Sequence, residues 1–320
     1  MNDPAATPID IEEQRNWLID HRKATGASWA EVAKRTAIPQ GTLSQFGSER
    51  GYGGNEQSVA DRIFRYRQQI ATQAQLAVEA PVVPGYFETE TSRNLITLLT
   101  WGQRGRIVVA AMGPGTSKTT TARHFAACSA NVFLATMAPA TAGVNTMQIE
   151  VLDALGERDA AGTPQKLSQR IRQRVRDLAN PLIMIDEAQH LSEKAIEEIR
   201  SWHDATGVGI ALLGNIGVMQ RLEGGSRKAA FAQLYSRIGM RIVRPVPLKG
   251  DCDCLAEAWN VHGEKEIAFI RRVGQQPGGL RGATMALEIG SMIATSERTV
   301  LAVDHLQDAW AQLSSRLVAA

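Results

Sequence analysis

Residues 106–126 read RIVVAAMGPGTSKTTTARHFA, and this stretch decides the fold. The apolar run from Ile107 to Met112 predicts a buried strand, which ends in a turn of Gly, Pro, Ser and Thr residues. Lys118 and Thr119 follow the turn and begin an alanine-containing helical segment. A strand, a glycine-containing loop and a helix that starts with Lys-Thr together indicate a phosphate-binding loop.

The loop predicts a site for a nucleotide and Mg²⁺. Its N–H groups and the positive end of the helix dipole would face the phosphates, Lys118 would reach the terminal phosphates, and Thr119 would offer a hydroxyl to Mg²⁺. An ordinary strand-to-helix turn with an incidental Lys-Thr pair is the alternative. The loop residues that we expect to bind nucleotide are Gly113, Pro114, Gly115, Thr116, Ser117, Lys118, Thr119 and Thr120.

Two positions depart from the usual phosphate-loop pattern, which has glycine immediately before the lysine and again six residues before it. This chain has Ser117 and Met112 at those places. Ser117 adds a Cβ where glycine avoids any steric cost.

A second motif, PLIMIDEAQHL at residues 181–191, predicts the acidic part of the same site. Its apolar run predicts a buried strand that ends at Asp186 and Glu187, where the crevice of a parallel sheet is found. Asp186 would hold Mg²⁺, which prefers oxygen ligands, and Glu187 would act as the base that polarises the attacking water. A strand that ends in acids is common alone, but much less so downstream of a Lys-Thr phosphate loop.

Three later residues are candidates for contacts to the phosphates. Asn215 follows an apolar run and could orient water or touch the γ-phosphate, unless it is a plain turn residue. In LYSRIGMR, residues 234–241, we choose Arg237 over Arg241 as the arginine delivered to a neighbour's γ-phosphate. Arg281 follows a Pro-Gly-Gly turn and could reach back to the nucleotide. Each arginine could instead be a solvated surface charge.

The composition bounds the class of protein. The 320 residues carry a net charge of +2, so any basic surface for nucleic acid must be local. Cys128, Cys252 and Cys254 have no metal-ligand spacing, and their odd number argues against a disulfide framework. The sequence has no apolar run of the roughly 18 residues that a membrane span needs, and no features of a secretory signal at its start. We therefore expect a soluble, cytoplasmic protein.

The N-terminal region predicts a DNA-binding helix-turn-helix. A helix starts with a capping box from Ser28 to Glu31, a tight turn holds Ile38, and residues 41–46 form a short further helix. A small helical bundle used for protein contact is the alternative. The residues expected on or near the exposed face of the last helix, where they could meet bases or phosphates, are Gln40, Thr42, Ser44 and Gln45.

Two further segments supply candidate contacts to DNA. The basic helix around residues 166–176 contributes Lys166 and Arg170, although a solvated face is the default interpretation of its arginines. The loop at residues 224–228 contributes Arg227 and Lys228.

The order of elements predicts the domain organisation. Strands and helices alternate from residue 94 to about residue 245, which favours a parallel sheet covered on both faces. The expected domains are an N-terminal helix-turn-helix domain (1–73), a linker (74–93), an α/β nucleotide-binding core (94–245) and a C-terminal helical subdomain (246–320). Asp251 and Asp304 are the expected N-caps of two helices of this subdomain. The expected strands are residues 107–112, 132–136, 182–185, 210–214 and 240–243.

These motifs resemble those of the AAA+ ATPases and, among them, of the phage Mu B-type transposition proteins that capture target DNA. The resemblance covers most of the chain. The phosphate loop and the DE strand are shared by very many ATPases, whereas the N-terminal segment, LYSRI and PGGLR make the resemblance specific. The motifs that carry it are SWAEVAKRTAIPQGTLSQF, FETET, PGTSKT, IMIDEAQHL, ALLGN, LYSRIGMR and PGGLR.

The resemblance implies an AAA+ parallel-sheet core with a C-terminal helical lid and an N-terminal helix-turn-helix. It implies ATP and Mg²⁺ as cofactors, and double-stranded DNA, a transposase and further copies of the chain in a helical filament as partners, in the cytoplasm of a bacterial host. Largely sequence-nonspecific DNA binding would deliver target DNA to the transposase, and hydrolysis would clear the protein from DNA. It also implies Asn215 as the first sensor, Arg237 as the arginine finger and Arg281 as the second sensor.

Three other functions stay open. Ser117 could leave a scaffold that binds ATP with negligible turnover. A sequence-specific regulator would read an operator through the helix-turn-helix. A helicase loader or a secretion-linked ATPase would share the same core motifs.

Overall fold

The computed structural model describes residues 9–48, 50–79, 81–219 and 237–318. The chain divides into two compact units, Met1–Ala80 and Pro81–Ala320. This division falls within the segment expected to be a linker, although helices enter that segment from both sides and leave only about ten residues between them. None of the described helices is long and apolar enough to cross a membrane.

The first unit contains four helices in its described part, α1 (Ile11–Thr25), α2 (Trp29–Thr36), α3 (Gln40–Phe46) and α4 (Glu56–Glu79). The capping box predicted at Ser28 is present, with Glu31 as its partner. Ala37 adopts a φ of 56° between α2 and α3, and Ile38 is buried beside it. The short turn therefore packs α3 against a small core formed by Leu18, Val32, Ile38, Leu43, Phe46, Val59, Ala60 and Ile63.

The second unit begins with a helix and a five-stranded sheet whose strand order is β2-β3-β4-β1-β5. Every neighbouring pair of strands is parallel. The five predicted strands are confirmed, with ends that differ by no more than one or two residues. The elements are α5 (Glu90–Gln103), β1 (Ile107–Met112), α6 (Lys118–Cys128), β2 (Val132–Thr136), α7 (Val144–Ala154), α8 (Pro164–Arg176), β3 (Leu182–Asp186), α9 (Glu193–Thr206), β4 (Gly209–Gly214) and β5 (Ile238–Arg244).

The three central strands, β1, β3 and β4, are buried on both faces in the way that their apolar sequences predict, whereas the edge strand β5 is largely exposed. Along β1, Ile107 and Val109 belong to one core cluster, whereas Val108 and Ala110 belong to the cluster on the opposite face. Successive side chains of a strand point to opposite faces, so a strand that is apolar throughout requires helices on both sides.

Four helices follow the sheet, α10 (Lys249–Ala258), α11 (Glu264–Gly274), α12 (Gly279–Ser296) and α13 (Val303–Val318). They bury their own apolar cluster, which includes Leu255, Ile270 and Leu287. The two N-caps expected here are wrong. Helix α10 already begins at Lys249 and α13 at Val303, so Asp251 and Asp304 lie inside the first turns.

Asp251 is fully buried because its carboxylate joins α10 to the core. It accepts hydrogen bonds from the backbone N–H of Thr91 at 3.0 Å and from the Thr91 hydroxyl. It also accepts from the backbone N–H of Leu248 at 2.8 Å. Thr91 lies in the first turn of α5, so this single carboxylate fastens the C-terminal helices to the start of the sheet domain.

We expect Asp251→Ala to lower the free energy of unfolding by about 2–3 kcal/mol, because it leaves the buried donors of Thr91 without a partner. Urea unfolding followed by tryptophan fluorescence measures this change. Asp253→Ala is the matched control on the same helix. Asp253 forms an exposed ion pair with Arg271, so its loss should cost less than about 1 kcal/mol. Equal losses in the two variants would contradict the anchoring role of Asp251.

All three cysteines have free thiols. Burial, with the nearby Asp251 carboxylate, raises the pKa of Cys252 to about 11, so its thiol stays protonated at neutral pH.

The described residues also contain no group of three or more His, Cys, Asp or Glu side chains arranged to hold a metal ion.

Candidate nucleotide site

The central strands β3, β4 and β1 bring three loops to one edge of the sheet. The loops that leave the carboxyl ends of parallel strands line the crevice where ligands bind. At this edge lies a cavity of about 520 Å³. The predicted nucleotide residues that line it are Gly113, Pro114, Gly115, Thr116, Ser117, Lys118, Thr119, Thr120, Glu187, Asn215 and Arg281.

Lys118 and Thr119 meet the acidic pair directly. The Lys118 Nζ atom lies 3.3 Å from Asp186 Oδ1 and 3.5 Å from Glu187 Oε1. The Thr119 hydroxyl donates to Asp186 Oδ2 at 2.7 Å. Asp186 is only 1% exposed, and inside the protein Lys118 balances its charge while Thr119 supplies a hydrogen bond. Residues 67 positions or more apart in the sequence thus form one cluster.

Glu187 occupies a backbone conformation that sets it apart from the strand. Its φ is 54°, in the left-handed region that non-glycine residues rarely adopt, whereas Asp186 is the last residue of β3. The turn of the chain at Glu187 leaves its side chain 39% exposed at the cavity, while Asp186 stays buried. Strained residues of this kind cluster at functional sites.

A hydrogen bond that the sequence did not predict holds Glu187 from the other side. The Gln189 Nε2 atom donates to Glu187 Oε2, and the Gln189 Oε1 atom accepts from the backbone N–H of Asn215 at 3.2 Å. No local signal in DEAQHL identifies Gln189, since its second partner lies 26 residues away, immediately after strand β4.

Apolar and aromatic groups also line the cavity. The consecutive residues Pro84, Gly85, Tyr86 and Phe87 form one wall of it, and Met285 of α12 also lines it. The Tyr86 ring stacks on His124 of α6, with ring centroids 3.7 Å apart. The sequence does not predict this wall, because segment 84–87 falls in the expected linker. A cavity lined by both charged and aromatic side chains has the two kinds of surface that a nucleotide requires.

Two family models match the chain. An AAA domain matches residues 103–222, and the C-terminal domain of the Mu B transposition protein matches residues 236–313. The ATP-dependent target DNA activator B of Escherichia phage Mu is 30% identical over 305 residues, which are 95% of each chain. The protein of the same name from Escherichia phage D108 is 29% identical over the same shares. The Mu-like prophage FluMu DNA transposition protein B of Haemophilus influenzae is 30% identical over 83% of this chain and 92% of its own.

The chain belongs to the Mu B transposition protein family. Its α/β fold is that of an AAA domain, and the chain is an ATPase. The resemblance drawn from the sequence motifs is thereby confirmed.

The loop at residues 113–117 of this Mu B family member is packed tightly against the segments that immediately precede α10 and α12. A Cβ atom at Gly113 would collide with the carbonyl of Pro245, and one at Gly115 with the carbonyl of Gly278. The backbone N–H of Leu280 donates to the Gly115 carbonyl at 2.9 Å. The loop glycines therefore allow close contact with protein backbone, and this contact holds Arg281, the next residue of α12, at the cavity.

The two departures from the phosphate-loop pattern have different consequences. Met112 is the last residue of β1, and its buried side chain belongs to the core under the loop, so no glycine is required there. Ser117 has a φ of 61° at the start of α6, and this left-handed conformation is costly for serine. Only the second departure places strain in the loop.

Ser117→Gly should relieve this strain and raise the free energy of unfolding by roughly 0.5–1 kcal/mol, net of the greater freedom of glycine in the unfolded chain. Denaturant unfolding measures the gain, and titration with a fluorescent ATP analogue should show that nucleotide binding is retained. Ala37→Gly, at a φ of 56° in the first unit, is a control for the same relief away from the cavity. Weaker ATP binding by Ser117→Gly would show that the serine side chain itself contacts the nucleotide.

The two candidate arginines occupy different surroundings. Arg281 lines the cavity of its own chain. Arg237 is not among the residues that line it, and its Nε atom donates to Asp204 Oδ1 at 2.9 Å at the end of α9. Arg237 immediately precedes β5 and is 37% exposed, so a second chain can approach it.

The candidate DNA contacts are placed as follows. On α3, Gln40, Ser44 and Gln45 are exposed and Thr42 is half-buried. Lys166 is exposed on the first turn of α8, whereas Arg170 on the same helix forms an ion pair with Glu157 through two of its nitrogens. Arg227 and Lys228 lie outside the described residues.

Proposed function

We propose that this chain binds double-stranded DNA when ATP and Mg²⁺ are bound, forms a filament of its own copies on the DNA, and delivers target DNA to a transposase. ATP hydrolysis would then drive disassembly in the cytoplasm of the bacterial host. The observation that carries the proposal is the convergence of Lys118, Thr119, Asp186 and Glu187 at one cavity. Support for the DNA and transposition partners comes from the names of the relatives, a target DNA activator and a DNA transposition protein.

The cavity fits the triphosphate of ATP. Helix α6 has no acidic residue in its first turn and no side chain that caps its N-terminal N–H groups, so these groups and the helix dipole favour an anion. Lys118 already lies beside the acids and would turn to the terminal phosphates. The apolar wall at Tyr86, Phe87 and Met285 would take the base.

The cavity also fits Mg²⁺, with Thr119 and Asp186 as its protein ligands. Their oxygens lie 2.7 Å apart, and the remaining positions would be filled by phosphate oxygens and water, as is usual for Mg²⁺. When bound, Mg²⁺ neutralises charge on the phosphates during transfer.

Glu187 is the proposed base for the attacking water, since it is the exposed carboxylate of the pair. Asn215 is the proposed sensor of the γ-phosphate. Arg281 would contact the phosphates of its own chain, and Arg237 those of a neighbour after leaving Asp204. The nucleotide would then lie between two copies, so that loss of the γ-phosphate loosens their contact.

The first unit is proposed to be a helix-turn-helix DNA-binding domain. Helix α3 presents Gln40, Ser44 and Gln45 to solvent, and such side chains can bond to bases or phosphates. Lys166 is the proposed phosphate contact of α8, and Arg170 would have to exchange Glu157 for DNA. Arg227 and Lys228 remain proposed phosphate contacts.

Fluorescence anisotropy with two duplexes of unrelated sequence tests the DNA part. In ATP we expect similar affinities for both, with a steep fall as salt rises, because phosphate contacts release counterions. Lys166→Ala should reduce the slope of log affinity against log salt by about one. Lys265→Ala, an exposed lysine of α11, should not. A flat salt response, or binding that ignores ATP, would contradict the proposal.

A regulator or helicase-loader-like protein that reads DNA through α3 is the second candidate, and the exposed glutamines of α3 favour it. DNase footprinting separates the two. Protection that spreads along the duplex supports a filament, whereas protection confined to one short site supports a regulator.

A further inference from the structure

The side-chain amide of Gln189 connects the proposed base, Glu187, to Asn215, the proposed sensor of the γ-phosphate, which follows strand β4. Gln189 lies two residues after Glu187 in the short 3₁₀ turn Ala188–His190. It donates to the Glu187 carboxylate and accepts from the backbone N–H of Asn215. The Glu187 carboxylate and the Asn215 backbone are therefore hydrogen-bonded to the same half-buried side chain.

The packing around Gln189 leaves it little room to turn away. A Cβ atom at Gly214, the last residue of β4, would collide with Gln189 Oε1 and with Val218.

The Asn215 Oδ1 atom accepts from the backbone N–H of Gly217 at 2.8 Å, so the loop that contains Asn215 holds its carboxamide oxygen. The Asn215 amide nitrogen then remains to donate to a phosphate oxygen.

The two oxygens of Glu187 have different partners. Oε1 faces Lys118 at 3.5 Å, and Oε2 accepts from Gln189. If Lys118 moves to the phosphates when ATP binds, Oε1 is released to accept a proton from water, while Oε2 stays bonded. A base must be held in this way within hydrogen-bond reach of the water that it activates.

We propose that Gln189 is a positioning residue for ATP hydrolysis: it orients Glu187 and couples that carboxylate to the Asn215 loop. This inference rests on the proposed catalytic role of Glu187. A γ-phosphate that pulls on Asn215 would shift the backbone N–H that donates to Gln189 and, through the same amide, the orientation of the base. The presence of the γ-phosphate would thereby be linked to the orientation of the base that activates water for its hydrolysis.

Two variants of the full chain test the role by steady-state phosphate release with DNA present. Gln189→Leu removes both hydrogen bonds and should lower kcat roughly 10- to 100-fold with little change in KM for ATP, because a displaced base impairs the chemical step. Gln189→Glu keeps the acceptor for Asn215 but places a second carboxylate beside Glu187. Repulsion between the two carboxylates should displace the base, so kcat should fall while KM for ATP stays near the parental value.

Glu187→Gln distinguishes failure of this inference from failure of the role on which it rests. If Glu187→Gln is inactive while Gln189→Leu matches the parent, the positioning role alone is overturned. If Glu187→Gln hydrolyses ATP normally, both roles are overturned. Loss of ATP binding in parallel with turnover would mean that Gln189 is merely structural, and parental turnover by Gln189→Glu would mean that its donor to Glu187 does not matter. Either result would also overturn the proposal.

Discussion

Lys118→Ala should abolish ATP-dependent assembly on DNA by weakening ATP binding. The Lys118 side chain is only 10% exposed, and its ammonium group faces both Asp186 and Glu187. Its removal takes away a charge-assisted hydrogen bond to the phosphates and leaves two carboxylates repelling them. Together these effects are on the order of 3 kcal/mol, which is roughly a 100-fold loss of affinity. Titration with a fluorescent ATP analogue measures the loss directly.

The control for this variant is Lys194→Ala, an exposed lysine in the first turn of α9, which should bind ATP like the parent. Circular dichroism should confirm that Lys118→Ala folds, since the buried Asp186 loses its cationic partner. If the Lys118→Ala variant folds and binds ATP with the parental affinity, Lys118 does not contribute to the nucleotide site.

Glu187→Gln should separate binding from hydrolysis. The substitution keeps the size of the side chain but removes the base, so phosphate release should fall by roughly 10²- to 10⁴-fold while ATP affinity is retained. Because hydrolysis is the proposed route of disassembly, the variant should also stay on DNA longer after a chase with unlabelled duplex. Both quantities are measurable on one preparation by phosphate-release and anisotropy assays.

Glu264→Gln supplies the control, since Glu264 is an exposed carboxylate at the start of α11. It should hydrolyse ATP and leave DNA at the parental rates. If Glu187→Gln hydrolyses ATP at the parental rate, the base must be another residue. If it hydrolyses ATP slowly but leaves DNA at the parental rate, hydrolysis does not drive disassembly.

The sheet and the centre of the site could be predicted because their signals are local. An apolar run such as residues 107–112 is buried on both faces, so its length and ends are visible in the sequence. Parallel strands place their carboxyl ends together, which made it possible to expect Lys118 beside Asp186 and Glu187. The capping box at Ser28 is equally local, since both of its partners lie within one helical turn.

The contacts that could not be predicted join residues that are distant in sequence. Asp251 was interpreted as an N-cap from its position before an apolar run, but its carboxylate is held by Thr91, 160 residues away. The partners of Arg170 and Arg237, Glu157 and Asp204, likewise follow from how helices and strands pack. Residue types alone do not tell whether a charged side chain is solvated or catalytic. That assignment requires its partners in the folded protein to be known.

Electron microscopy of negatively stained protein with long duplex DNA, in ATP, in ADP and without nucleotide, tests most directly whether a triphosphate at Lys118 controls assembly. We expect filaments along the DNA in ATP and none in the other two conditions, because only ATP offers a γ-phosphate to Asn215 and to the neighbour's Arg237. Filaments of equal length and number in all three conditions would contradict the proposed control by the nucleotide.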